Sequence, residues 1–482
     1  MKSLLLLCCY SFVITFLLTP LVSAAFRRLQ VVDHPDDGRK LHAKAVPRVG
    51  GIPLAIGYFV SLGLLYLISG ADLPVPRSNV LLFIKVLPAA GIVFWTGLLD
   101  DLVGLKPSHK LIGQFAGAIW VYYVGVRIMG TEGFPHWVSL PLTLLWLVGC
   151  TNAFNLIDGL DGLAAGIGLL ATLTIVIAAL MHNNLALAII TVPLAGSLMG
   201  FLKYNFNPAS IFLGDCGSLL VGFLLGCFAV IWSQKAVTLL GMTAPLMAVA
   251  IPVLDIGLSI IRRYLRRQPL FLGDRGHIHH RLLAMGLGPR EVAIVLYGAG
   301  GLAAAFSLLQ SVAYRRFGGL VVVLFCTIAW AGVQRLRYVE LDILRRMLLG
   351  GEFRSILTSR IRLQLFEDAL ASAKTADECW LLIREACREF GFFQVALKVG
   401  GISYKQRFGP TEMLPGWNAH VEFSESDYVD ILTPFRSAQT GAVGPLLDVL
   451  RTQIQSKDLS HSRHNDDVGL PEVLQVRRAE VG

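Results

Sequence analysis

The sequence predicts an all-α polytopic membrane protein of about 11 transmembrane helices, followed by a small cytoplasmic α/β domain. Three observations carry that prediction. Of 482 residues, 54% are hydrophobic and 16% charged, whereas a soluble domain is nearer a quarter charged. Apolar runs such as SLLLLCCYSFVITFLLTPLV (3–22) and VLLFIKVLPAAGIVFWTGLL (80–99) are long enough to cross roughly 30 Å of hydrocarbon as helices. The dense polar motifs interrupting this background all fall on one predicted side of it.

The hydropathy pattern places spans near 3–24, 51–70, 80–99, 110–129, 138–152, 163–181, 184–201, 216–233, 238–261, 291–311 and 318–336. The first imitates a signal peptide, with Lys2, an apolar stretch and VSA before Ala25. Six basic residues follow it, Arg27, Arg28, Arg39, Lys40, Lys44 and Arg48. That bias reads as an uncleaved first span with its following loop in the cytoplasm. Loop 262–290 on the same side holds seven more basic residues, while Arg77, Lys235, Arg315 and Arg316 fall outside. The formal charge of +9 therefore reports topology and lipid contact. No basic stretch interleaved with aromatics appears, so no nucleic acid is expected as a partner. The eight cysteines contain no CxxC and lie mostly in apolar runs, which supports neither a disulfide framework nor a zinc site.

With this orientation, Asp33, Asp36, Asp37, Asp100, Asp101, Asp158, Asp161, Asp215, Asp255 and Asp274 lie in or beside inner loops. Acids at the ends of apolar helices are costly and usually functional, so a cytoplasmic-side site is expected. GLLDDLVGL (97–105) pairs Asp100 with Asp101; adjacent carboxylates resist joint ionisation unless a cation shares them. TNAFNLIDGLDGLAAG (151–166) sets Asn152, Asn155, Asp158 and Asp161 at intervals of three, one polar stripe if helical. A calcium loop would need different spacing and a terminal Glu. YNFNPASIFLGDCGSL (204–219) puts Asp215 at the start of a span, where a helix N-terminus, phosphate and a carboxylate-held Mg²⁺ can meet. Phe212 in the same run suits stacking on a planar ring, or plain packing. DHPDDGRKLHAKAVPRVGG (33–51) offers basic groups beside glycines; phosphate binding and topology explain them equally. FLGDRGHIHHRLL (271–283) crowds three histidines together, but without the paired spacing of a zinc helix. They read as donors to phosphate oxygens, or as residues that structure the loop.

Taken together, RKLHAKAVPRVGG, GLLDDLVG, NAFNLIDGLDGLAAG, NPASIFLGDCGSL and DRGHIHHRL resemble, in order, the motifs of the polyprenyl-phosphate N-acetylhexosamine-1-phosphate transferases, glycosyl transferase family 4. The resemblance spans about residues 30–340. It implies that a polyprenyl phosphate in the lipid bilayer attacks the sugar-bearing phosphate of a UDP-sugar, releasing UMP, with Mg²⁺ required and Mn²⁺ its alternative. Carried over, Asp215 resembles the metal ligand. Asp100 resembles a base or positioning acid, with Asp101 beside it; Asp158, Asp161 and His279 complete the catalytic candidates. Lys44, Arg48, Lys110, Asn152, Asn155, Asn205, Phe212, Arg275, His277 and His280 are the substrate-binding candidates, with Asn205 and Phe212 on the uracil. HIHH, rather than an uninterrupted HHH, resembles the transferases of O-antigen and teichoic acid pathways, which makes UDP-GlcNAc and undecaprenyl phosphate the expected substrates, with a related UDP-sugar as the alternative. Gly273 stands where the family often writes Pro, and no third acid follows the DD pair. The expected location is the inner membrane, multi-pass; a homodimer is left open. The competing class is a cation-coupled transporter, which would place acids at span midpoints.

The domains expected are 1–336, the transmembrane transferase; 337–456, a cytoplasmic α/β domain of unknown role; and 457–482, a polar tail read as disordered. In the second, LQLFEDALASA and TADECWLLIREACREFGF read as helices, the latter capped by Thr375, and QVALKVGG and ISYKQRF as strands.

Overall fold

The structure is a computed structural model that describes residues 2–33, 45–69, 77–128, 135–233, 242–265, 276–336, 352–408, 416–424, 427–434 and 440–455. The chain divides into two compact units, Met1–Tyr338 and Val339–Gly482.

The first unit is helical: α1 (Lys2–Arg28), α2 (Gly51–Ser69), α3 (Arg77–Val103), α4 (Pro107–Tyr123), α5 (His136–Ile157), α6 (Leu163–Met181), α7 (Leu185–Asn205), α8 (Gly214–Ser233), α9 (Thr243–Ala248), α10 (Ala250–Leu265), α11 (Ile278–Ala284) and α12 (Pro289–Arg335). Among the described residues, eight segments are long and apolar enough to cross a membrane: α1, Val86–Val103 of α3, α5, α6, α7, α8, and Pro289–Ala313 and Arg316–Arg335 of α12. The protein is a polytopic helical membrane protein. Eleven crossings is a finer count than these eight segments support; α4, for one, has only 17 residues.

The span expected at 238–261 is broken between α9 and α10. Pro252 has no N–H to offer the carbonyl of Ala248, so regular helix bonding lapses there. At α12 the backbone is helical throughout, yet the Phe306 and Phe325 rings lie 5.7 Å apart. Nineteen residues of straight helix would separate them by about 28 Å at 1.5 Å per residue. The helix therefore doubles back between its two arms.

The centre of this unit is α8, in which every residue except Trp232 is buried. A helix apolar on all sides belongs inside a bundle. It packs against α3, α5 and α2, and Gly97 lets α3 come close. A Cβ at residue 97 would lie 2.5 Å from the Asp215 carbonyl oxygen. Small residues at such crossings allow backbone approach. The seam aligns the C-terminal end of α3 with the N-terminal end of α8.

The second unit contains α13 (Glu352–Ser372), α14 (Ala376–Glu389), β1 (Gln394–Val399), β2 (Ile402–Arg407), β3 (Gly416–Glu422), β4 (Tyr428–Pro434) and α15 (Thr440–Gln455). Thr375 caps α14, and Glu378 reaches back to the Thr375 amide, the reciprocal capping box. The sheet is antiparallel in the order β2-β1-β4-β3. Alternate β1 residues Val395, Leu397 and Val399 are buried with Cys379, Ile383 and Leu450 of the helices. Sequence analysis anticipated β1 and β2; β3, β4 and α15 are additional. The tail expected at 457–482 lies outside the described residues.

Candidate active site

The site is built where the C-terminal ends of α3 and α5 meet the start of α8. Asp215 is 1% exposed at residue level and sits in the first turn of α8. Its Oδ1 accepts from Arg48 Nη2 at 2.6 Å. Its Oδ2 is paired with Lys110 Nζ and accepts from Asn155 Nδ2 at 3.3 Å. The same Lys110 ammonium lies 2.6 Å from Asp100 Oδ2. Two carboxylates thus converge on one cation, which is how a crowded acid pair remains tolerable away from water. Arg48 also reaches Asp101, with Nε 3.7 Å from Oδ1.

Asp101 makes a different use of its charge. Its Oδ1 accepts the Asp215 amide at 2.8 Å, and its Oδ2 the Cys216 amide at 2.9 Å. The first amides of a helix lack intrahelical acceptors, and Asp101 supplies both from across the seam. It anchors α8 and thereby sets where the Asp215 carboxylate stands. Asp158, just beyond α5, accepts from the Gly214 amide. Burial holds its carboxyl well above the usual carboxylate range against the opposing pull of Arg48, and Asp215 and Asp101 push the same way as burial.

The rest of the polar stripe divides by function. Asn155 also accepts from Ser218 Oγ at 3.4 Å. Asn152 faces Gln114 instead: its Nδ2 donates to Gln114 Oε1 at 2.6 Å, and Gln114 Nε2 donates back at 3.3 Å. This amide pair ties α4 to α5, one helical turn from Lys110 and Asn155. Asp161 Oδ2 accepts from Asn207 Nδ2 at 3.0 Å and the Ala209 amide at 2.9 Å, bracing the segment between α7 and α8. In that segment Asn205 donates to the Ile211 carbonyl at 3.0 Å, while its buried Oδ1 has no hydrogen-bond partner among the described residues. The Phe212 amide donates to the Pro47 carbonyl, and its carbonyl accepts from Gly50, so this strand-like strip carries the Arg48 loop.

The histidines lie on α11 and at its start. Asp255 Oδ2 is 3.2 Å from His277 Nδ1, and its Oδ1 accepts the Ile278 amide at 2.9 Å. His279 is 2% exposed, and neither ring nitrogen has a hydrogen-bond partner among the described residues. A Cβ at residue 159 would lie 2.7 Å from His279 Nε2, so Gly159 lets the ring press against the turn after Asp158. The His280 ring centroid is 4.3 Å from that of His279. Burial, reinforced by His280, pushes His279 down to about 3. The folded state then binds fewer protons at His279 than the unfolded state, so its stability contribution is present above about pH 6.5. It is lost as pH falls towards 3. The thermal midpoint of wild type is expected to fall more steeply from pH 7 to pH 4 than that of His279→Gln, by up to roughly 3 kcal/mol in unfolding free energy. Parallel curves would remove burial of a neutral His279.

Lys44 and Arg275 lie outside the described residues. Arg48, Asp100, Asp101, Lys110, Asn155, Asp158 and Asp215 come together as one cluster. Asn152 and Asp161 support it at one remove. Gln114 and Ser218 were not among the sequence candidates, and Asp255 was counted with the inner-side acids without a role; the signal for Gln114 was a lone polar residue inside an apolar run.

The chain is similar to known transferases. The profile of glycosyl transferase family 4 matches residues 83–233. A probable undecaprenyl-phosphate N-acetylglucosaminyl 1-phosphate transferase of Bacillus subtilis is 36% identical over 294 residues, covering 60% of this chain and 79% of that protein. An undecaprenyl-phosphate alpha-N-acetylglucosaminyl 1-phosphate transferase of Thermotoga maritima is 32% identical, covering 66% and 93%. A phospho-N-acetylmuramoyl-pentapeptide-transferase of Halalkalibacterium halodurans is 34% identical, covering 48% and 76%. With relatives at 32% and 36% identity matched over 93% and 79% of their own length, the chain belongs to glycosyl transferase family 4.

Proposed function

We propose that the protein transfers N-acetylglucosamine 1-phosphate from a UDP-sugar to a membrane polyprenyl phosphate, undecaprenyl phosphate, and releases UMP. The reaction takes place at the cytoplasmic face of the inner membrane and opens a cell-envelope polysaccharide pathway. The observation that carries this reading is the convergence of Arg48 and Lys110 with Asp100, Asp101, Asp158 and Asp215 at one end of the bundle. The names of the relatives from Bacillus subtilis and Thermotoga maritima support it.

A donor diphosphate and an acceptor phosphate repel each other, so bringing them together needs preorganised positive charge. Arg48 and Lys110 supply it from fixed positions. A phosphate monoester has a second pKa of about 6, so the acceptor is largely ionised at neutral pH. Asp100 then acts chiefly by holding Lys110 in place. Asp158 retains a proton further up the pH scale than an ordinary carboxylate, and His279, neutral at pH 7, offers one ring N–H to a phosphate oxygen. Asn205, with an unsatisfied buried Oδ1, and Phe212 are assigned to the uracil.

Mg²⁺ fits this donor set, with Mn²⁺ as alternative. A small hard cation takes one or two carboxylates plus substrate phosphates, and here Asp215 and Asp100 already converge on one cation. Asp215, with Asp100, would hold the ion, which offsets charge on the transferring phosphoryl oxygens when bound. A cation-coupled transporter is disfavoured because the clustered acids Asp100, Asp101, Asp158 and Asp215 sit at helix ends.

The test is purified protein with undecaprenyl phosphate, Mg²⁺ and a panel of UDP-GlcNAc, UDP-GalNAc and UDP-N-acetylmuramoyl-pentapeptide. UMP and a lipid-linked sugar are expected with UDP-GlcNAc. Product from the muramoyl donor alone would reassign the sugar, and no product from any donor would sink the enzyme reading.

A further inference from the structure

Asp255 is 2% exposed, lies outside the carboxylate cluster, and has both oxygens committed to the histidine segment. Helix α11 has only seven residues, too few to hold a direction by its own hydrogen bonding. Its direction is set instead by two contacts at its start. One is the Ile278 amide on Asp255 Oδ1; the other is the His277 ring on Asp255 Oδ2. The next residue after Ile278 is His279, whose ring lies against Gly159, next to Asp158. The chain of contact therefore runs from α10 through Asp255 and His277 to the site.

A carboxylate only accepts hydrogen bonds, so His277 Nδ1 must carry the proton in this pair. We propose that Asp255 is a positioning residue for the transfer reaction. It anchors the start of α11 and holds His277 in the Nδ1–H form, leaving Nε2 as the nitrogen that faces the reaction. The partner of a functional imidazole fixes both ring orientation and tautomer.

The chemistry gives a way to separate these two duties. In Asp255→Asn the amide oxygen can still accept the Ile278 N–H, while its NH₂ donates to His277 Nδ1 and moves the ring proton to Nε2. An asparagine in that relation preserves geometry yet selects the wrong tautomer. In Asp255→Leu both contacts are lost.

The kinetic arm rests on the transferase reading above; the spectroscopic arm does not. With ¹⁵N-histidine-labelled full-length protein in nanodiscs, and His277→Gln to assign the signal, wild type is expected to show a protonated Nδ1. Asp255→Asn is expected to show a protonated Nε2. In the UMP-release assay Asp255→Asn is expected to lower kcat by about tenfold or more, with the KM for the UDP-sugar changed by less than about threefold and the thermal midpoint retained. Asp255→Leu should lose both activity and thermal midpoint. A protonated Nε2 in wild type overturns the inference, as does a ring signal unchanged in Asp255→Asn. So does an Asp255→Asn enzyme with wild-type kcat, which leaves Asp255 a purely structural anchor. Failure of wild type to release UMP would defeat the functional reading, while the ring signals would still decide the tautomer.

Discussion

Asp215→Asn is expected to lower the rate of UMP release by about a thousandfold or more, with the protein still folded and inserted. The size of the effect follows from how many groups this one carboxylate organises. Arg48, Lys110 and Asn155 all reach it, and it is the carboxylate assigned to Mg²⁺. Asparagine keeps the volume but removes the charge, so Arg48 and Lys110 lose their common counter-ion. The fold should survive because the anchor of α8 is made by the Asp215 and Cys216 backbone amides with Asp101, which the substitution leaves alone. The measurement is turnover alongside the thermal midpoint. Activity within tenfold of wild type would reject the central role of Asp215; a lost thermal transition would show that the carboxylate is needed for folding instead.

Gly97→Ala is expected to abolish activity and lower stability by about 1–3 kcal/mol, although the change adds one methyl group. The new Cβ would meet the Asp215 carbonyl oxygen at 2.5 Å and the Cys216 Cα at 2.6 Å. Both are backbone atoms of a buried helix, so α3 and α8 must move apart. Asp100 and Asp101 lie one turn beyond Gly97 on α3, and any separation withdraws them from Lys110 and from the α8 amides. Gly91 on the same helix provides the control, since a Cβ there meets nothing within 4 Å. Gly91→Ala should retain activity and be neutral or slightly stabilising, as alanine for glycine in a helix interior generally is. Equal behaviour of the two variants, in activity and denaturation, would refute the close seam.

Much of the helical unit was legible because the bilayer imposes long apolar runs, and length alone separates these from soluble helices. α1, α6, α7 and α8 lie close to their expected bounds for that reason. The break between α9 and α10 was harder to see, because Pro252 sits in an otherwise continuous apolar stretch. In the second unit, the alternating pattern of β1 was readable. Strands β3 and β4 carry polar residues such as Asn418, His420 and Asp430 that mask their period.

The sequence by itself determined which residues could carry the chemistry. Acids, asparagines and histidines stand out against an apolar background, and the alternation of spans brings their helix ends to one side. Only the tertiary structure decided how that set is divided. Asp100 and Asp101 are neighbours with the same side chain, yet one shares Lys110 with Asp215 and the other binds two amides of α8. Asn152 and Asn155 are one turn apart, yet one joins Gln114 and the other Asp215. Spacing along a helix says which side chains share a face. What each one meets there depends on the neighbouring helix, and that is set by packing at Gly97 and by the amides at the start of α8 that Asp101 pairs.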